Sequence, residues 1–321
     1  MRYIVLGAGG VGSAIGGMLQ ASGAEVVLIA RGAHLEAMAR GGLSLTSPSR
    51  ELHLVVEALP SPRGVRFEEG DVVLLAMKSQ DTAAALADLA ACAPRDVPVV
   101  CAQNGVANEP LAARLFSRVY GMVVFSPIQL VAPGRVAIHA TPSLGGLDLG
   151  LHPTGTDALC HAVVGDLVAA GFDARAEPRI SRWKYRKLLT NLGNVVQALV
   201  RGALAESPVL AAIQAEALAC YGAAGIDHAA LDEVHERYRD VGSADVAGAP
   251  RGGGSTWQSL ARGTGTIETD FLNGEIVRIG ERHGVATPMN RAVTALARRA
   301  AEERWPPSRL APDELEAALR A

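Results

Sequence analysis

The chain has 321 residues, 49% of them hydrophobic, and a formal net charge of −3 at pH 7. That length suggests about two domains, with apolar material enough for a core in each. Eight histidines and thirty lysines and arginines lie scattered without runs, which excludes a basic field for nucleic acid or an anionic membrane surface.

Residues 3–6 form a short apolar run that reads as a buried strand. Gly7-Ala8-Gly9-Gly10-Val11-Gly12 follows at once, and residues 13–20 have helical spacing. A second strand over 25–30 ends in Arg31. Strand, G-x-G-x-x-G turn, helix and strand in this order form the dinucleotide fingerprint. Gly7 makes the tight turn, Gly9 lets the backbone approach a diphosphate, and Gly12 lets helix pack on strand. The first helical amides, with Gly10 and Val11 among them, hold the negative charge. A carboxylate about 20 residues past the motif would take the 2′-hydroxyl of NAD. This chain has a guanidinium there, suited to a 2′-phosphate, so the reading is NADP.

Further along, 43–47 and 52–57 read as a hairpin turning at Pro48-Ser49. Residues 71–78 make a continuous apolar run ending in Lys78, as expected of a strand buried on both faces. A helix over 82–89 and strands over 97–101 and 119–125 come next. Ala132-Pro133-Gly134-Arg135 forms a turn between strands 128–131 and 136–140. A strand over 144–149, a helix over 157–170 and a strand over 172–175 complete this half. From residue 180 the pattern becomes helical, with helices expected over 181–201, 207–225, 229–241, 267–283, 289–304 and 312–320, and a loop over 248–254. The expected architecture is α/β: an N-terminal Rossmann dinucleotide-binding domain (1–176), then an all-helical C-terminal domain (177–321) for substrate and dimerisation.

On the helix over 181–201, Lys184, Lys187, Asn191 and Asn194 step by three, four and three and share a face beside Leu188, Leu192, Val195 and Leu199. A solvated helix face would look the same for any one lysine. Two asparagines on that face, poor residues for a helix interior, favour a cleft wall. Glu268 shares a helical face with Leu272, Glu275 and Ile279, and reads either as a helix-start dipole or capping residue or as an acid–base partner of a lysine. Cys92, Cys101, Cys160 and Cys220 have no C-x-x-C spacing, and no His or Cys cluster offers a metal site. No apolar stretch approaches the roughly 20 residues of a bilayer span, and the N-terminal apolar run is too short for a secretory leader. A cytoplasmic protein is expected.

These motifs together resemble the ketopantoate reductase (2-dehydropantoate 2-reductase) family. The resemblance is carried by Gly7 to Gly12 with Arg31, Lys78, Gln103-Asn104-Gly105-Val106, Tyr185-Arg186-Lys187-Leu188 with Asn191, Ser255-Thr256, and Ile267-Glu268-Thr269-Asp270-Phe271-Leu272-Asn273-Gly274. It implies that Lys187 is the catalytic lysine and Glu268 the essential glutamate. It further implies that Lys78 and Asn104 lie at the cofactor, and that Asn104, Asn191, Ser255 and Thr256 bind substrate. The implied activity is NADPH-dependent reduction of a small 2-keto acid, 2-dehydropantoate first, in pantothenate biosynthesis. A related 2-keto or hydroxy-acid or opine-type dehydrogenase, and a non-catalytic NADP sensor, stand as alternatives, and a homodimer as an arrangement to test. Three departures from the family pattern fall on the substrate side: Tyr185 in place of Trp, the displaced Asn194 without a following Pro, and Trp257-Gln258-Ser259 after Thr256.

Overall fold

The computed structural model describes residues 1–202, 207–263 and 265–320. They divide into two compact units, Met1–Lys184 with Ala230–Arg251, and Tyr185–Ala229 with Gly252–Ala321. The expected division after residue 176 differs from these units. The chain leaves the first unit within a helix and returns to it for one short segment.

The first unit begins β1 (Arg2–Leu6), α1 (Gly10–Ala21), β2 (Glu25–Ile29), α2 (Gly32–Gly41), β3 (Leu43–Thr46), β4 (Glu51–Leu54) and β5 (Glu57–Leu59). It continues with β6 (Asp71–Leu75), α3 (Thr82–Ala90), β7 (Val99–Cys101), α4 (Asn108–Ala112) and β8 (Val119–Phe125). β9 (Ile128–Ala132), β10 (Arg135–Ile138), β11 (Ala140–Pro142), β12 (Gly146–Leu151), α5 (Ala158–Ala169) and β13 (Asp173–Ala176) follow. The main sheet has the order β13-β12-β8-β7-β6-β1-β2-β5. From β5 to β8 every pairing is parallel, and β12 runs antiparallel to β8. Chain order reverses between β1 and β6, the switch point at which such sheets open a crevice. Strand residues alternate between two cores. Tyr3, Val5, Leu28 and Leu74 enter one with α1, and Ile4, Leu6, Ile29 and Leu75 the other with α3. Burial on both faces explains the unbroken apolar runs. A smaller sheet, β4-β3-β10-β9, lies beside α1.

Residues 230–251 add α9 (Leu231–Arg237) and β14 (Val241–Ser243), which pairs antiparallel with β11. The expected helix over 229–241 therefore stops at Arg237. Arg237, itself 9% exposed, donates to the fully buried Asp148 of β12 at 2.6 Å and to Asp173 at 2.7 Å. Tyr238 donates to Asp148 at 2.8 Å and stacks on Phe125 with ring centroids 4.6 Å apart. Burial pushes the Asp148 carboxyl up, against the opposing pull of Arg237 and Tyr238.

α6 (Ile180–Asn191) begins in the first unit and ends in the second. The second unit then carries α7 (Asn194–Leu199), α8 (Pro208–Ala224), α10 (Ser255–Ala261), α11 (Asn273–His283), α12 (Pro288–Glu302) and α13 (Pro312–Arg320). Its interior includes Leu188, Leu192, Val195, Ile213, Ala217, Ile276, Val293 and Ala297, each at most 1% exposed. The α/β class and the Rossmann-then-helical order both hold.

Candidate active site

At Gly7 the φ of +95° lies in the left-handed region, and a Cβ there would stand 2.5 Å from the Met77 amide nitrogen. Gly12 is fixed by packing, since its Cβ would meet the Gly7 carbonyl oxygen at 2.5 Å. Gly9 differs: nothing lies within 4 Å of the place its Cβ would take. The first helical bond of α1 runs from Ser13 N to Gly9 O. The amides of Gly10, Val11 and Gly12 precede it, at the positive end of a helix of 12 residues. An open cradle edged by these amides fits a diphosphate.

Three more groups share this carboxyl edge. Arg31 follows β2, Lys78 stands just past β6, and Gln103-Asn104-Gly105 stands just past β7. β2, β1, β6 and β7 are consecutive neighbours, so the row spans three strand spacings, about 14 Å. Arg31 caps α2 by position, its side chain 76% exposed and 3.8 Å from Asp88, which also meets Arg63 at 3.1 Å. Exposed pairs of this kind contribute only about 0–1 kcal/mol, so Asp88 is a weak competitor for an incoming phosphate.

Lys78 and Asn104 stand on turns tied together by a buried polar network. Gln103 Nε2 donates to Met77 O at 2.9 Å and to Thr82 Oγ1 at 2.8 Å. Thr82 donates to Asn108 Oδ1 at 2.9 Å, and Asn108 Nδ2 donates to Ser79 Oγ at 3.1 Å and Asn104 O at 3.0 Å. Lys184 supplies the remaining clamp. Its Nζ donates to Gln103 O at 3.0 Å and pairs with Glu109 Oε1, the two side chains being 5% and 3% exposed. The expectation that Lys184 stands on a cleft-facing stripe is thereby corrected, because a buried carboxylate on α4 takes its charge.

Lys187 and Asn191 lie one turn apart on α6. Lys187 is half-buried, and desolvation pushes its pKa down to about 8. Asn191 is 5% exposed, and its Nδ2 has no hydrogen-bond partner among the described residues. The expected single helix over 181–201 breaks at Leu192-Gly193. Asn273 Nδ2 donates to Leu192 O there at 3.3 Å and to Asn290 Oδ1 at 3.2 Å. Asn194, the first residue of α7, would have its Oδ1 3.3 Å from a Cβ on Gly254, whose amide donates to Gln197 Oε1 at 2.7 Å. α7 thus packs on the start of α10, where Ser255 Oγ and Thr256 Oγ1 are buried and unpaired among the described residues. The Trp257 ring fills the space over Gly252 and Gly253.

Glu268 is 6% exposed and precedes a 3₁₀ turn, Thr269–Phe271, without capping it through its side chain. Leu272, at φ −113° and ψ −88°, separates that turn from α11. The helical face expected to join Glu268 to Glu275 and Ile279 is therefore absent, and Glu268 is a buried carboxylate on a turn. Glu109, Thr82 and Asn108 were outside the sequence reading. Their roles depend on turns from different strands meeting, which no local spacing announces.

Fold and site together define a two-unit protein of the Rossmann dinucleotide-binding class. The ketopantoate reductase PanE/ApbA model matches residues 3–153, and the ketopantoate reductase PanE/ApbA C-terminal model matches residues 179–301. The chain is 30% identical to a PanE/ApbA family ketopantoate reductase from Ralstonia eutropha, whose crystal structure superposes with a TM-score of 0.78 over 95% of this chain and 99% of that one. It is 28% identical over 315 residues to the 2-dehydropantoate 2-reductase of Pyrococcus horikoshii, covering 93% of this chain and 97% of the relative. A D-mandelate dehydrogenase solved with NADH and anilino(oxo)acetate shares the fold at a TM-score of 0.79 and 23% identity, over 95% of this chain and 99% of that one. The chain belongs to the ketopantoate reductase PanE/ApbA family. It is accordingly an oxidoreductase. The non-catalytic sensor alternative falls with that assignment.

Proposed function

We propose that the chain reduces a small 2-keto acid with NADPH, 2-dehydropantoate first, using Lys187 as general acid. The observation that carries this reading is the group of polar atoms left buried and unpaired in the helical unit: Asn191 Nδ2, Ser255 Oγ and Thr256 Oγ1. Buried polar atoms are nearly always hydrogen-bonded, and each one left unpaired costs about 1–3 kcal/mol. Carboxylate, carbonyl and hydroxyl oxygens of a keto acid would satisfy them.

When bound, the dinucleotide supplies the hydride that reduces the carbonyl carbon. Arg31 takes the 2′-phosphate, the Gly7–Gly12 turn the diphosphate, and Lys78 and Asn104 the ribose and nicotinamide end. A lysine with a pKa of about 8 is still an ammonium at neutral pH and releases its proton more readily than an ordinary lysine. Lys187 opposes the negative charge growing on the substrate oxygen and then protonates it. Glu268 orients lysine or substrate, and Asn104 and Asn191 hold the substrate's polar groups.

The displaced Asn194 and the bulky Trp257 support extending the test to bulkier 2-keto acids. The enzyme is expected to act in the cytoplasm, as a monomer or homodimer. A panel of 2-keto acids, followed by loss of NADPH absorbance, tests the proposal. The expected result is fastest turnover of 2-dehydropantoate, and no turnover of any 2-keto acid refutes it.

A further inference from the structure

His34 stands in the first turn of α2, three residues past Arg31, and both ring nitrogens are engaged. Nε2 lies 3.0 Å from Ser13 Oγ, and Nδ1 lies 2.9 Å from the Gly134 amide nitrogen. Ser13 Oγ in turn lies 2.9 Å from Ala8 O. The protons assign themselves. Gly134 N–H can only donate, so Nδ1 accepts. Ala8 O can only accept, so the single Ser13 hydroxyl proton goes to it, and Nε2–H donates to Ser13. The imidazole is neutral, with its proton on Nε2, and burial pushes its pKa down in the same sense.

One ring therefore ties together three segments that are far apart in sequence. Through Ser13 it holds the carbonyl of Ala8, inside the glycine turn. Through Nδ1 it holds Gly134, at the turn between β9 and β10. Its own backbone is the first turn of α2, whose cap position is Arg31. The packing is close at the same point, because a Cβ on Gly134 would meet the Ala37 Cβ of α2 at 3.2 Å. The Arg31 guanidinium is itself exposed and only loosely paired. What fixes its reach is therefore the placement of the backbone behind it.

We propose that His34 is a positioning residue for cofactor selection: by clamping the first turn of α2 to the glycine turn, it sets how far Arg31 stands from the diphosphate-binding amides. This rests on the reading of Arg31 as the 2′-phosphate ligand. A clamp acting there affects NADPH, which touches both ends, more than NADH, which lacks the phosphate.

The test is steady-state kinetics with NADPH and NADH, alongside thermal melting, for the unmodified enzyme, Arg31→Ala, His34→Ala, His34→Gln and Ser13→Ala. In His34→Ala the NADPH KM is expected to rise about tenfold, by more than kcat falls, while the NADH KM moves less, so selectivity narrows. His34→Gln keeps a donor near Nε2 and is expected to restore most of the selectivity. Ser13→Ala breaks the same link from α1, should His34→Ala fail to fold, and is expected to narrow selectivity too. Unchanged selectivity in foldable His34 and Ser13 variants, beside a narrowed Arg31→Ala, overturns the clamp and leaves the Arg31 reading intact. Unchanged selectivity in Arg31→Ala overturns the Arg31 reading and the clamp with it.

Discussion

Replacing Lys184 by Met would strip a buried carboxylate of its counter-charge. Glu109 is 3% exposed and Lys184 5% exposed, and Lys184 also holds the Gln103 carbonyl at 3.0 Å. Removing one partner of a buried pair costs about 3–5 kcal/mol, because the remaining charge is left in a medium that solvates it poorly. In a compact unit of this size each kcal/mol lowers the midpoint by about 2–4 °C, so a loss on the order of 10 °C is expected. The double variant Lys184→Met, Glu109→Leu removes both charges and should recover much of that loss. Calorimetry on the three proteins measures both effects, and turnover with saturating NADPH reports whether the Asn104 turn has moved. If Lys184→Met lowered the midpoint by no more than 1–2 °C (less than about 1 kcal/mol), the pair could not be the buried clamp described.

Arg31→Asp should narrow or reverse the preference for NADPH over NADH in competition binding, since a carboxylate repels a 2′-phosphate and accepts from a 2′-hydroxyl; equal affinity of the unmodified enzyme for both cofactors refutes this. Lys187→Ala should depress kcat far more than it weakens NADPH binding, because the charge it opposes exists chiefly in the transition state. An acid must be protonated to act, so kcat/KM should be level below about pH 8 and fall as pH rises through that value. A profile still level at pH 10 would remove Lys187 from this role. Glu268→Gln should leave the melting midpoint nearly unchanged and lower kcat/KM at least tenfold, about 1.4 kcal/mol. The reverse pattern, a stability loss of roughly 0.3–1 kcal/mol with full activity, would return it to a dipole role.

The sheet unit was legible where a residue's surroundings are set by its near neighbours. β1, the glycine turn, α1 and β2 could be read because a two-face buried strand must be continuously apolar and the turn must have glycine where its φ is positive. The β9–β10 turn was visible in Pro133-Gly134 for the same reason. The stripe on α6 was legible only in part. Lys187 and Asn191 keep their spacing, but Leu192-Gly193 breaks the helix, and the amide of Asn273, 81 residues on in sequence, holds that break. β14 lies at and past the end of the helix expected over 229–241 and was not expected as a strand, because three residues have no period of their own. It exists through pairing with β11, about a hundred residues earlier. Glu268 shows the same division. Its burial is real, but it comes from a 3₁₀ turn and a backbone break rather than from a helical face.

The return of residues 230–251 to the sheet unit bears on how the chain is made. Asp148 is wholly buried on β12, with Arg175 at 3.5 Å, while the guanidinium that hydrogen-bonds it belongs to Arg237, 89 residues later. At about 5–20 residues per second, a ribosome extends that stretch in roughly 5–20 s. For that interval the nascent sheet has Arg175 beside the Asp148 carboxylate but not the hydrogen bonds of Arg237 and Tyr238, and β11 has no β14. The hydrogen bonds that close the edge formed by β8, β12 and β13 around Asp148 are completed only after residues 185–229 of the helical unit have been synthesised. The N-terminal half therefore cannot finish folding first and wait. The sheet unit is completed only after part of the helical unit has been made, and a chain stopped after residue 176 would keep Arg175 beside Asp148 but lack the hydrogen bonds of Arg237 and Tyr238.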